Sequence, residues 1–372
     1  MIFQPVAAPK RYRYLDVLRG IALFGVLLVN LLSAFRVSMF QHFAQFHTHP
    51  GRVNFLVDTL VATFVEFKAL TLFSFLFGVG TAIQAERSAA RGVPVTPFLL
   101  RRFLFLLAFG LAHMFLIWNG DILLLYAVCG LLLTPTVRLS PRALAILGLA
   151  AILLPSFVSL NFHFPSAEAM RAHVAAANRI YAHGDFLEIL RFRSSEAVRL
   201  ILPVLWGVLP RTVGLMWWGV AAWRSGLLRQ PGTHRGLLAA LLVVGIALGG
   251  VTSFLHSRFE DILTIIPLAS AYAGAVLLWY RPGHARAFAA AGQMALTNYL
   301  TQSVVLGFVF YGYGLGLFGR LDPTAGLALA IVLYALQLAA SLVWLRHFRF
   351  GPAEWLWRSL TYGRIFPLRI GE

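Results

Sequence analysis

Apolar stretches of bilayer-spanning length recur along this chain, near 17–35, 53–84, 103–118, 122–137, 143–160, 200–223, 237–255, 263–280, 294–318 and 325–345. A helix needs about 20 mainly apolar residues to cross the ~30 Å hydrocarbon core, where every backbone polar group must be satisfied internally. The pattern therefore calls for an all-α, polytopic membrane bundle of about ten transmembrane helices. Of the 372 residues, 59% are hydrophobic and 12% charged, too little charge to cover a water-soluble fold of this length. No interior stretch is rich enough in Pro, Gly and Ser to be a linker and no clear repeat is seen, so residues 1–372 read as one integral membrane domain. Its one sizeable non-membrane insert is 161–199. There Met170, Val174, Ala177 and Tyr181 fall at helical spacing and Asp185 with Glu188 resembles a capping box, which predicts an amphipathic helical pair, either a lid or a packed connector.

The basic balance, 31 Lys and Arg against 14 Asp and Glu, is a matter of topology and not of a nucleic-acid partner. Segments 1–14, 85–102, 138–142, 224–236, 281–293 and 346–372 hold 19 of the 31, and the alternate loops hold 9. The positive-inside rule places the first set, and with it both termini, in the cytoplasm, as an even number of spans requires. The insert is then extracytoplasmic. The N-terminal apolar stretch carries charge and lacks an A-x-A-like site, so it is expected to stay as the first span. Cys129 is alone, which removes disulfide and CxxC chemistry. His42, His47 and His49 share a loop without metal-ligand spacing, so no metal site is expected.

Polar residues inside the spans are the candidate site, because lipid rejects them. Asp16, Arg19 and Asn30 fall on one side of the first span at about 100° per residue; the simpler reading is a locking Asp16–Arg19 pair. Residues 53–84 would form a helix of roughly 48 Å, well beyond the hydrocarbon core, so this stretch must tilt, protrude or break. Near its middle Glu66 and Lys68, two residues apart, point to opposite sides and cannot satisfy each other on a regular helix. His113 precedes Asp121 closely enough for a carboxylate to orient an imidazole, and Arg102 lies on the same helical face roughly 16 Å nearer the cytoplasm. Asn298 and Gln302, at i, i+4, form a hydrogen-bonding face that equally suits interhelical glue. Glu354, Trp355, Trp357 and Arg358 read as an interfacial anchor.

LDVLRGIALFGVLLVN, Lys68 with LFSFLFGVG, His113 with Trp118-x-Gly-Asp-Ile-Leu, GQMALTNYLTQS and GPAEWLWR, in this order, resemble the YeiB-like family of bacterial inner-membrane proteins. By resemblance that family is grouped with transmembrane acyltransferases of the heparan glucosaminide N-acetyltransferase type, whose LDxxRGxA segment looks like Leu15 to Ala22. The resemblance implies a multi-pass protein of the bacterial cytoplasmic membrane that moves an acyl group from cytoplasmic acyl-CoA to an envelope glycan or lipid acceptor. It picks out Asp16, Arg19, Asn30, Lys68, His113, Asp121, Asn298 and Gln302. The family commonly has Arg where this chain has Gln293, which puts a phosphate contact there in doubt. The catalytic histidine of the acetyltransferase relatives lies elsewhere in their chains, so His113 is not equated with it.

On the acyltransferase reading His113, Asp121 and Lys68 are catalytic, and Asp16, Arg19, Asn30, Arg102, Asn298 and Gln302 bind substrate. Arg102, Arg19 or Lys68 would hold CoA phosphates or the thioester carbonyl, with no metal and no tightly bound cofactor. A transporter with a midplane site of Lys68, Glu66 and His113 is the alternative, although no paired Gly/Pro-interrupted spans mark two inverted halves. A structural membrane partner is the third reading.

Overall fold

The computed structural model describes residues 11–43, 51–158, 165–255 and 258–371. Among them no strand forms, and the only bridge joins Phe348 to Arg369. In chain order the helices are α1 (Arg13–Asn30), α2 (Met39–Phe43), α3 (Arg52–Phe64), α4 (Lys68–Ala89), α5 (Val95–Ala112), α6 (Leu123–Thr136), α7 (Pro141–Phe157) and α8 (Ala167–His183). There follow α9 (Phe186–Glu196), α10 (Leu202–Arg224), α11 (Arg235–Thr252), α12 (Ile266–Trp279), α13 (Arg286–Gln293), α14 (Ala295–Phe310), α15 (Pro323–His347) and α16 (Pro352–Tyr362). Single π-helical turns extend α1 to Phe35 and α5 to Ile117, and join α9 to α10.

Among the described residues seven helical segments are long and apolar enough to cross a bilayer: Arg13–Phe35, Arg52–Ala89, Val95–Ile117, Phe186–Arg224, Pro231–Thr252, Asp261–Trp279 and Pro323–His347. The shorter α6, α7 and α14 are also apolar. Large side chains such as Ile146, Val243, Val251 and Leu336 are exposed on the outside of the bundle, where hydrocarbon, and not water, is the matching solvent. The chain is a multi-pass membrane protein built as an all-α bundle.

The overlong second stretch breaks. Val65–Phe67 interrupts it, and Phe67 takes a left-handed conformation, φ 60°. Backbone groups freed by the break are re-satisfied locally: Lys68 N donates to the carbonyls of Val65 and Glu66, and Arg211 of α10 reaches across to the Phe67 carbonyl and the Thr71 hydroxyl. A broken membrane helix persists only with such partners.

The expected span over 294–318 ends early, at Phe310. Beyond it the glycine-rich segment folds back, so that Leu315 N and Phe318 N return to the carbonyls of Phe308 and Phe310. The insert forms the expected helix pair, with Met170, Val174, Ala177 and Tyr181 buried and Asp185 Oδ1 accepting from Glu188 N at 2.8 Å. It has no boundary near 199, because α9 runs through its π turn into α10. Arg193 donates to the carbonyls of Leu116 and Ile117, and buried Glu196 accepts from Asn119 (2.6 Å) and Tyr181 (2.6 Å) while touching His173 (2.7 Å). The insert is thereby packed over the Ile117 end of α5.

Elsewhere helices cross at glycine. A Cβ on Gly292 of α13 would collide with the Asp16 carbonyl and lie 2.7 Å from Gly20 N of α1, the small-residue contact that lets membrane helices approach closely.

Candidate functional site

Where α1, α4, α5, α6, α14 and α16 meet, they enclose a cavity of about 190 Å³. Its lining changes character along its length. On α4 it runs from Gln84 through Gly80 and Phe77 to Phe73, and eleven residues of helix make that roughly 16 Å. Polar side chains gather at the Gln84 end; Leu23, Val26, Leu106, Tyr126 and Tyr299 line the deeper part.

Four arginines, Arg11, Arg19, Arg102 and Arg358, stand at the polar mouth. Buried Asp16 binds two of them, Arg11 at 2.6 Å and Arg19 at 3.0 Å. The Arg19 guanidinium lies over Gly80, where a Cβ would come within 3.2 Å of it. Arg102 sits 3.6 Å from the centroid of the Trp357 ring, a cation–π contact, and Trp357 Nε1 donates to the Arg102 carbonyl at 3.0 Å. Neither Arg102 nor Arg358 has a side-chain hydrogen bond or an ion pair among the described residues.

The second acid at the mouth is already engaged. Glu354 accepts from Leu296 N (2.7 Å), Thr297 N (3.2 Å) and Thr297 Oγ1 (2.5 Å), so a side chain of α16 satisfies the orphan N–H groups that open α14. Burial nevertheless pushes its carboxyl above the usual range, against the pull of those bonds. The mouth is left with a cationic excess in surroundings of low dielectric, which favours an anionic group.

Past the deep end lie His113 and Asp121, 1% and 0% exposed. His113 Nδ1 is 2.8 Å from Asp121 Oδ1, and Asp121 Oδ2 accepts from Leu124 N at 2.6 Å. An acceptor at Oδ1 assigns the proton to Nδ1. In the neutral imidazole Nε2 is then a lone-pair acceptor, buried with no hydrogen-bond partner among the described residues. The Tyr299 ring stands 5.1 Å from the imidazole, centroid to centroid, and also lines the cavity, while its hydroxyl accepts from Ile122 N at 3.3 Å.

The structure brings Arg19 and Arg102 to one mouth with Asp16 behind them, and puts His113 and Asp121 beyond the other end. Four other expected positions do not line the cavity. Asn30 is half-buried past the level of Val26, where the lining on α1 ends. Lys68 is buried at the helix break, near Glu66, Glu260 and Arg211, which itself pairs with Asp261 at 2.7 Å. Asn298 donates to Ser341 Oγ (3.0 Å) and the Ala291 carbonyl (3.2 Å), Gln302 to Gln337 Oε1 (2.8 Å), and Gln337 back to the Asn298 carbonyl (3.0 Å). Those amides tie α14 to α15, as the glue reading has it. His42 lies 3.4 Å from Glu66; His47 and His49 fall outside the described residues. Arg11, Gln84, Trp357 and Arg358 are wall residues that sequence reasoning missed. The spacing of Glu354, Trp357 and Arg358 at i, i+3, i+4 was the available signal for the last two.

A model of a family described as protein of unknown function (DUF418) matches residues 222–364. Over 96% of both chains the sequence is 34% identical to the uncharacterized protein YxaH of Bacillus subtilis (strain 168). It is 29% identical to the uncharacterized protein YeiB of Escherichia coli (strain K12), over 93% of this chain and 95% of that one. The chain belongs to the YeiB-like family. A further similar protein is the uncharacterized 39.9 kDa protein in the amylase 3′ region of Bacillus acidopullulyticus, 29% identical over 98% of each chain. The segment matched by the family model carries Gln293, Tyr299, Glu354, Trp357 and Arg358 of the cavity wall, whereas Arg19, Arg102 and the His113–Asp121 pair lie upstream of it.

Proposed function

We propose that this YeiB-like protein is a membrane acyltransferase that takes its donor, an acyl-CoA, through the arginine mouth from the cytoplasm of a bacterial inner membrane. The observation that carries this reading is the polarity of one cavity, with uncompensated arginines at one end and an Asp-oriented imidazole bearing an unpartnered Nε2 beyond the other. Arginines suit phosphates because the guanidinium fork matches them bidentately. From Arg102 to His113 is eleven residues of α5, roughly 16 Å. The arm that separates the diphosphate of CoA from its sulfur is about twelve bonds, roughly 15 Å when extended. With phosphates among Arg19, Arg102 and Arg358, the thioester therefore falls near the imidazole.

In the step proposed, Nε2 takes the proton of an acceptor hydroxyl or amine as its O or N attacks the thioester carbonyl, and Asp121 stabilises the resulting imidazolium. The Tyr299 hydroxyl, beside the imidazole and on the cavity wall, would donate to the developing oxyanion. Collapse breaks the C–S bond, and the thiolate receives the proton from Nε2. The acceptor is an envelope glycan or lipid. The test uses the purified full chain in liposomes with radiolabelled acetyl-CoA and extracted envelope lipids and glycans. Labelled product that disappears in His113→Gln, while that variant still binds CoA, supports the reading. Absence of both CoA binding and transfer in the parent overturns it. A midplane transport site is not favoured, because Lys68 and Glu66 belong to the helix-break cluster and not to the cavity.

A further inference from the structure

Beside the mouth a second, shallow cleft opens where α4 ends, with Gln84, Arg87, Ser88, Arg91, Phe98 and Tyr362 on its walls. Gln84 lines both cleft and cavity, so the two are neighbours along one face of α4. Arg87 lies nearly one turn beyond Gln84, about 5 Å further along α4, and Arg91 stands in the turn that follows the end of the helix at Ala89. The turn that carries Arg91 is pinned: Val93 N donates to the Ser88 carbonyl at 3.0 Å and Ser88 Oγ to the Val93 carbonyl at 3.2 Å. The same cleft is lined by Tyr362 and Phe98, edge to face at 5.2 Å, with the Tyr362 hydroxyl 3.4 Å from Gln84 Oε1.

Arg87 feels the like charges of Arg11 and Arg91, none of the described residues that line the cleft is acidic, and Arg91 is exposed with no side-chain hydrogen bond or ion pair among the described residues. The positive-inside tendency explains arginine on this face of the bundle. It does not explain two of them sharing a cleft with two aromatic rings and adjoining a cationic cavity mouth, an arrangement suited to a stacked base with a phosphate beside it.

We infer that this cleft is a second anion subsite, which holds the 3′-phosphate of the donor's adenosine between Arg87 and Arg91 with the base against Tyr362. The inference rests on the acyl-CoA reading and adds to it the nucleotide end of the donor. It separates a CoA thioester from a lipid phosphate, which would fill the arginine mouth alone.

The experiment measures binding of CoA and of dephospho-CoA, which lacks only the 3′-phosphate, to the full chain in nanodiscs. CoA is expected to bind at least tenfold more tightly. Arg91→Ala, at an exposed turn position, and Arg87→Gln should each shrink that ratio toward one and leave dephospho-CoA affinity within about twofold. Equal binding of the two ligands by the parent refutes the subsite and leaves the acyl-CoA reading standing. A ratio unchanged in both variants refutes its placement. Binding of neither ligand overturns the acyl-CoA reading, and the subsite with it.

Discussion

Replacing Gly292 by alanine adds one methyl group at the closest crossing in the bundle. The new Cβ would overlap the Asp16 carbonyl and stand 2.7 Å from Gly20 N and 2.9 Å from the Asp16 carbonyl carbon. Ordinary van der Waals contact begins near 3.4 Å, so clearing the Asp16 carbonyl takes a separation of α13 and α1 well beyond the ~0.7 Å that Gly20 N alone would require. A gap of 0.5–1 Å forfeits roughly a quarter to a half of each pairwise dispersion contact across the seam. Overpacking of this kind costs about 1–3 kcal/mol, which outweighs the ~0.5–1 kcal/mol that alanine gains over glycine within a helix. The control is Gly250→Ala in α11, where a Cβ meets nothing within 4 Å and only that gain should remain. Thermal unfolding of both purified variants in one detergent is the assay. Gly292→Ala should melt below the parent and Gly250→Ala at or above it. If Gly292→Ala matches the parent, the α1–α13 crossing is not the tight seam described and the position of Asp16 does not depend on it.

Asp16→Asn should lower stability by about 1–3 kcal/mol, because it removes a charged acceptor from two arginines at an already cationic mouth; unchanged detergent melting would contradict this. Gln302→Leu should cost about 1 kcal/mol through the lost bond to Gln337 and leave CoA affinity unaltered, whereas a selective loss of CoA binding would return Gln302 to the substrate site. Burial makes the folded chain hold the Glu354 proton more tightly than the unfolded chain does. The stability from this group is thus fully present below its ordinary value of about 4.3 and falls as pH rises through the folded value. Glu354→Gln should flatten that part of a pH–melting curve, and a slope as steep as the parent's would refute the assignment.

The membrane class and the helices were legible because periodicity and length act locally: each expected apolar stretch overlaps an apolar helix, although 53–84 is broken into α3 and α4 and 294–318 ends at Phe310. The break at Val65–Phe67 was legible as a conflict, too long a stretch with Glu66 and Lys68 back to back, but its resolution depends on Arg211, 140 residues downstream of Thr71. His113 with Asp121 was within reach because only eight residues separate them in sequence. Lys68 shows the opposite case. An ionisable residue in a span announces a need for partners and does not say which cavity supplies them. Asn298 and Gln302 face α15 because α14 packs with that side against Ser341 and Gln337, a fact of tertiary register that spacing within one helix does not carry. Trp357 and Arg358 looked like an interfacial belt because belts and cavity rims favour the same amphipathic residues; only the contact with Arg102 distinguishes them.

Glu354 reaches from α16 to close the start of α14, and Arg11, just before α1, meets Arg358 at the same mouth. Two segments far apart in the sequence, one just before α1 and the other in α16, therefore complete one cavity mouth. During synthesis the first helices enter the bilayer long before the last one leaves the ribosome, so a nascent or C-terminally clipped chain has a mouth without a floor and a leading turn of α14 without its acceptor. The complete mouth thus exists only once α16 has been made and docked, which makes that helix a poor place for truncation.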